Sequence, residues 1–184
     1  MRRLAAPLAR LAPVGVLRWL ERRRARHREH ADPLPAAALE ALAPFFPAAT
    51  LEAARLAVVD RLREPRLVAL GRRLGLGIVA LEEILGITYV DTIVVPRTGS
   101  GEVPLSTLFH ELVHVEQARQ LGARGFVERY ARGWLEGGYR GIPLERDAYA
   151  LERRFRAAPD QPFDVAAEVA RRLNPTPPSA GGLA

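Results

Sequence analysis

The sequence predicts an α+β domain in which a short β-sheet packs on one central helix and additional helices surround both. Three observations carry this expectation. Residues 87–95, ITYVDTIVV, form a β-branched and aromatic run, preceded by Gly86 and stopped by Pro96, and read as the best strand in the chain. From Pro104 to Leu121 the apolar residues Leu105, Leu108, Leu112 and Val115 recur at three- and four-residue steps, the period of an amphipathic helix, with Gly122 as its stop. The chain's 184 residues, 48% of them hydrophobic and 26% charged, suffice for one sizeable core, which excludes wholesale disorder and two large domains.

The elements follow in order. Residues 14–30 read as a helix that opens with Val16, Leu17, Trp19 and Leu20 and continues in arginines. The linker-like run from Ala31 to Pro35 comes next. Residues 1–34 therefore form a basic helical arm and linker, 35–173 the main domain, and 174–184, NPTPPSAGGLA, a tail expected to be disordered. A strand is expected at residues 55–60. A loop through Gly99, Ser100 and Gly101 separates the ITYVDTIVV strand from the central helix. Further helices are expected from Phe126 to Glu136, ending at Gly137 and Gly138, from Pro143 to Ala157, with proline in the first turn, and from Pro162 to Leu173.

Charge is unevenly placed. Residues 1–31 hold nine arginines against Glu21 and Glu29, net +7, which leaves 18 arginines against 19 acids, net −1, in the rest. All 27 basic residues are arginine. The arm admits two readings: contact with an anionic surface through clustered arginines, or a solvated helix lying on the body through its few apolar residues. With so little apolar surface the arm is expected to be dispensable for folding. The uncharged stretch from Ala41 to Leu51 contains Pro44 and Pro47 and falls far short of the 18 or more apolar residues of a membrane span. Arg10, Pro13 and Arg18 interrupt any signal-peptide pattern at the N-terminus, so the expected compartment is the cytoplasm.

No cysteine occurs, which excludes disulfides, thiolate nucleophiles and thiolate metal sites. Any metal must be held by nitrogen and oxygen, and the central helix offers both. His110-Glu111-Leu112-Val113-His114 places two histidines four apart, about 40° from one another around the helix, so both imidazoles can reach one ion. Glu111, one step round, can reach a metal-bound water without being a ligand. Four His and 15 Glu in this length predict roughly 0.007 chance occurrences of the pattern, so the match is specific on a helix. A catalytic zinc takes three protein ligands and keeps one position open. Candidates for the third ligand are His27, His30, Glu116, Glu128, Glu136, Glu145, Asp147 and Glu152. His27 and His30 sit in the positive arm, and Glu116 is on the far side of the same helix. Glu145 is favoured: it lies near the start of a later helix, far enough beyond His114 for one intervening helix to turn the chain back.

The order HELVH, an intervening helix, then PLERDAY resembles the gluzincin type of HExxH zinc metallopeptidase, and more closely a group of short bacterial zincin-like proteins with HELxHxxQ followed by ExxAY or ExxAD. The resemblance spans about residues 87–155. It implies a zincin-like fold, Zn2+ ligands at His110, His114 and Glu145, and Glu111 as general base acting on a peptide or protein substrate. Gln117 matches the group's glutamine with no role attached. Where better-studied gluzincins carry an aspartate four residues after the third ligand, this chain has Tyr149, which lies one turn beyond Glu145 and is expected to point into the metal site. An oxyanion donor is to be sought among Tyr130, Tyr139, Tyr149 and Arg140, with Tyr139 favoured beside its glycines. In zincins the strand before the metal helix borders the cleft and pairs with extended peptides, which implies that Tyr89–Val95 does so here, with Thr92 facing the substrate. The alternative is a zinc-binding or interaction module of the same fold without proteolysis.

Overall fold

The structure is a computed structural model that describes residues 5–62, 85–97 and 102–174; within the first of these, side chains are described from Gly15 onward, and that of Arg140 is not. The loop at 99–101 and the tail at 175–184 lie outside the described residues. The elements are α1 (Ala5–Arg28), α2 (Ala36–Leu42), α3 (Ala48–Ala53), β1 (Arg55–Val59), β2 (Ile87–Tyr89), β3 (Thr92–Pro96), α4 (Leu105–Gly141), α5 (Pro143–Ala157) and α6 (Val165–Leu173). This is an α+β arrangement, six helices and a three-stranded sheet among the described residues.

Prolines and glycines punctuate it. Pro35, Pro47 and Pro104 stand at extended ψ just before α2, α3 and α4, and Pro143 sits in the first turn of α5, where its missing N–H costs nothing. Within α4 the helical path is broken at Gly122 (φ 69°) and at Gly137 and Gly138 (φ 64° at Gly138), the glycines read as helix stops, so the two expected helices run on as one interrupted element. Asp164 caps α6 by accepting from the Ala167 N–H at 2.9 Å.

The sheet corrects the expectation of a single strand over residues 87–95. The run folds back on itself as β2 and β3, paired antiparallel with Thr88 opposite Ile93, around a tight turn closed by the Asp91 N–H to the Tyr89 carbonyl at 2.8 Å. Val90, at the turn's centre, has φ 64°, a left-handed conformation that a β-branched side chain resists. Two guanidiniums hold it closed: Arg24 grips Asp91 through Nε at 2.7 Å, and Arg28 lies 3.0 Å from the same carboxylate. Strand order is β1-β3-β2, with β1 parallel to β3. Since β3 has a partner on each side and Thr92 is fully buried, this strand cannot pair with a peptide, and Thr92 faces no substrate.

Two apolar clusters fill the interior. The larger joins Leu42, Phe45 and Phe46 to Phe109 of α4 and Phe155 of α5, with the Phe109 and Phe155 rings stacked at 4.4 Å and Phe45 edge-on to both. The smaller lies on the opposite face of the sheet, where Leu20 of α1 is buried against Ala57, Tyr89, Val94 and Val127. His27 stacks on Tyr89 and Trp19 meets the same ring edge-on. The arm therefore lies on the body through Leu17, Leu20, Arg24, His27 and Arg28. This packing runs against dispensability, because the arm supplies one wall of the second cluster.

Candidate metal centre

His110 and His114 project from the first part of α4, and Glu145 from the first turn of α5. The three are buried together, each offering one ligand atom. α5 can approach α4 this closely because residue 133 is glycine: a Cβ there would stand 2.5 Å from Pro143 Cδ and 2.9 Å from Ile142 Cα. The two Nε2 atoms are 3.2 Å apart, and each is 3.5 Å from a Glu145 oxygen. The oxygen facing His110 is Oε2 and the one facing His114 is Oε1, and these separations are close to the roughly 3.3–3.4 Å between ligands held about 2.0–2.1 Å from a tetrahedral ion.

The neighbours fix which nitrogen of each ring is free. Gln117 donates through Nε2 to the Leu144 carbonyl at 3.0 Å, which leaves its Oε1 to accept from His114 Nδ1–H at 2.8 Å. Glu152 Oε2 accepts from His110 Nδ1–H at 3.2 Å. Both imidazoles consequently turn Nε2 toward the same point, where the Glu145 carboxylate also faces. Two lone pairs and a carboxylate in buried surroundings could hold a metal ion at their centre. The same neighbours draw protons to this place. Burial opposes the charged form of both rings, yet the hydrogen bonds and charge of Glu145, with Glu152 at the first ring, carry His110 up to about 9 and raise His114. Glu145, despite its burial, is held well below the usual carboxylate range by the two histidines. A proton satisfies one pair of these groups; a divalent cation satisfies all three.

Glu145 is fixed from its other side by two phenols, Tyr130 donating to Oε1 at 2.8 Å and Tyr139 to Oε2 at 2.9 Å. Burial and then the nearby Glu145 charge push both hydroxyls well above the ordinary tyrosine range, so both remain donors. Glu111 is buried between α4 and β2. Thr88 Oγ1 lies 2.7 Å from its Oε2 and 3.2 Å from its backbone carbonyl, and a Cβ at Gly86 would stand 2.7 Å from its Oε1. Burial raises the Glu111 carboxyl, an effect the neighbouring His114 and His110 partly offset.

Tyr149 is 44% exposed, and its ring lies 4.5 Å from that of His110, at the solvent side of the cluster. The other candidate ligands are elsewhere. Glu116 is buried in a separate network with Thr50, Arg119 and Gln120; Asp147 pairs with Arg172; Glu128 accepts from Arg124; Glu136, like His30, is exposed; and His27 stacks on Tyr89. The Arg140 side chain lies outside the described residues. Sequence reasoning weighed Glu152 only as a ligand and sought the group supporting a histidine at Tyr149. That group is Glu152, two helical turns beyond Glu145 along the same face. Thr88 and Gly86 were missed, because contacts between a strand and a helix distant in sequence carry no local signature. Comparison with family models, with curated proteins and with solved structures returns no match.

Proposed function

We propose that the chain is a zinc-dependent metallopeptidase of the gluzincin type, with His110, His114 and Glu145 as metal ligands and Glu111 as general base. The observation that carries the reading is the convergence of two oriented Nε2 atoms and the Glu145 carboxylate within 3.2–3.5 Å of one another, next to a buried carboxylate that is not one of the three. Imidazole nitrogen and carboxylate oxygen without sulfur suit Zn2+. Zinc, when bound, lowers the pKa of a coordinated water and polarises a carbonyl. Glu111 takes the proton of the attacking water and passes it to the amine nitrogen as the peptide C–N bond breaks. Burial raises the pKa of Glu111, which favours proton uptake. Thr88 holds one carboxylate oxygen in place during that exchange, and Gly86 leaves room for the other. The oxyanion donor in this reading is Tyr149, whose ring lies against His110 and whose surface is open to solvent. Tyr139, already donating to Glu145, steadies the ligand. The strand bordering the site is β2, through Thr88, and among the described residues its outer edge pairs with no other strand.

A second reading, a metal-binding module without hydrolysis, is favoured by one observation: both oxygens of Glu145 are occupied by phenols, so Tyr139 is committed to shaping the site. One pair of measurements separates the two. Elemental analysis should find about one zinc per chain, lost in His114→Ala. Glu111→Gln should keep the zinc and abolish cleavage of responsive members of a peptide library. Zinc retained at full stoichiometry in His114→Ala overturns the ligand assignment, and cleavage equal to wild type in Glu111→Gln overturns the base.

A further inference from the structure

The arginines of α1 divide into two sets that the sequence does not distinguish. Arg24 and Arg28 turn inward and are neutralised by Asp91. Arg18, Arg22 and Arg26, at four-residue steps along the opposite face, are exposed, and among the described residues none of them is in an ion pair. Successive members of this set are about 6 Å apart along the axis and about 40° apart around it, so they form one stripe. On the flank of the stripe, Val16 is 40% exposed and Trp19 36% exposed, the indole edge-on to Tyr89 at one side with the Arg23 guanidinium 5.7 Å from its ring.

We propose that this face of α1 docks on an anionic lipid bilayer, with Arg18, Arg22 and Arg26 meeting headgroup phosphates and Val16 and Trp19 seated at the interface. Charge complementarity identifies the partner as anionic: residues 1–31 carry net +7 while the rest of the chain is net −1, so the net positive charge is concentrated in the segment that contains this helix. The apolar residues select lipid over a nucleic acid. A phosphate polymer would engage the arginines and leave Val16 and Trp19 in water, whereas a bilayer interface takes both kinds of side chain. The residues of α1 ahead of Gly15, AAPLARLAPV, hold a single charge, continuing the helix in the composition that an interfacial segment has. No helix among the described residues is long and apolar enough to cross a membrane, so the contact is peripheral. This inference is independent of the metal centre, since none of its residues touches the ligands.

The test uses the full chain with phosphatidylcholine vesicles made with and without phosphatidylglycerol, and with duplex DNA in parallel. The expected result is sedimentation with the anionic vesicles, none with the neutral ones, and weakening as salt rises. Replacing Arg18, Arg22 and Arg26 together by glutamine should lower vesicle partitioning about a hundredfold while leaving the unfolding curve unchanged. Val16→Asp should weaken vesicle binding and leave any residual DNA binding as it was. Absence of vesicle binding at low salt, a triple variant that partitions like wild type, a Val16→Asp chain that does so, or tighter binding to DNA than to vesicles would each overturn the proposal. Added inorganic phosphate distinguishes a free-phosphate pocket from a surface: release of the chain from vesicles by millimolar phosphate at constant ionic strength would count against a bilayer contact.

Discussion

Replacing Gln117 by leucine separates its effect on the fold from its effect on the metal site. The side chain is almost fully buried and makes two hydrogen bonds, one to each of the groups that it joins. Leucine fills nearly the same volume but leaves the His114 Nδ1–H and the Leu144 carbonyl without partners. At about 1–3 kcal/mol for each orphaned buried group, less what the apolar side chain returns, the metal-free protein should lose about 3 kcal/mol. Because Nδ1 no longer has its acceptor, the His114 ring loses the restraint on its tautomer and orientation, and zinc affinity should fall about 10- to 100-fold. Gln117→Glu divides the two effects. A carboxylate still accepts from Nδ1–H, now with charge assistance, but sets oxygen against the Leu144 carbonyl oxygen. That variant should lose stability on a similar scale while binding zinc at least as tightly as wild type. Competition against a chromophoric chelator measures the affinities, and urea unfolding of the chelator-treated protein measures the stabilities. A Gln117→Leu protein that binds zinc within twofold of wild type would show that Gln117 does not set the histidine's orientation, and the tautomer argument for the site would fail with it.

Gly86→Ala should keep zinc content, cost about 1–3 kcal/mol of stability and abolish hydrolysis, because the new methyl displaces the buried Glu111 carboxylate 2.7 Å away; hydrolysis at the wild-type rate would remove Glu111 from the mechanism. pH should act oppositely on the metal-free and zinc-loaded forms. The His110 pKa is raised from 6.5 to about 9, so its contribution is fully present below pH 6.5 and lost as pH rises through 9. This amounts to about 3 kcal/mol, visible in urea midpoints of chelator-treated protein. Over the same range zinc affinity should increase as protons leave the site, so a midpoint that rises with pH without metal contradicts the assignment. Leu20→Ala, which empties a position in the second cluster, should cost about 2–4 kcal/mol in the same assay, whereas a loss under about 1 kcal/mol would show that the arm is detachable after all.

The parts of this molecule that were legible beforehand are those written in local spacing. His110 and His114 share a face because a four-residue step is slightly more than one turn. Glycines 122, 137 and 138 interrupt α4 where the apolar period breaks, and Pro143 opens α5. Glu145 was reachable because the glycine breaks in α4 turn the chain back, so that a ligand at the start of α5 returns to the first part of α4. The hairpin was not legible. Val90 takes a conformation that its side chain disfavours, held by Arg24 and Arg28 from a helix far upstream in the chain, and Asp91 alone, with no glycine or proline beside it, is too weak a turn signal. Nor was the central position of β3, which rests on parallel pairing with β1, a strand well separated from it in sequence. The same holds for Glu152, whose role depends on the angle at which α5 crosses α4.

The parallel pairing of β1 with β3 also sets an order in time. As the chain leaves the ribosome, β1 is complete at Val59, but its partner is not finished until Pro96. At about 5–20 residues per second the wait lasts about 2–7 s, during which Leu56, Ala57, Val58 and Val59 form an apolar strand with no sheet to join. One neighbour already made can shield it: Asp32 exchanges both backbone hydrogen bonds with Leu56, at 3.0 and 2.8 Å. The segment just after the basic helix thus caps β1 early, and newly made chains lacking that segment should be the ones that seek strand partners in each other.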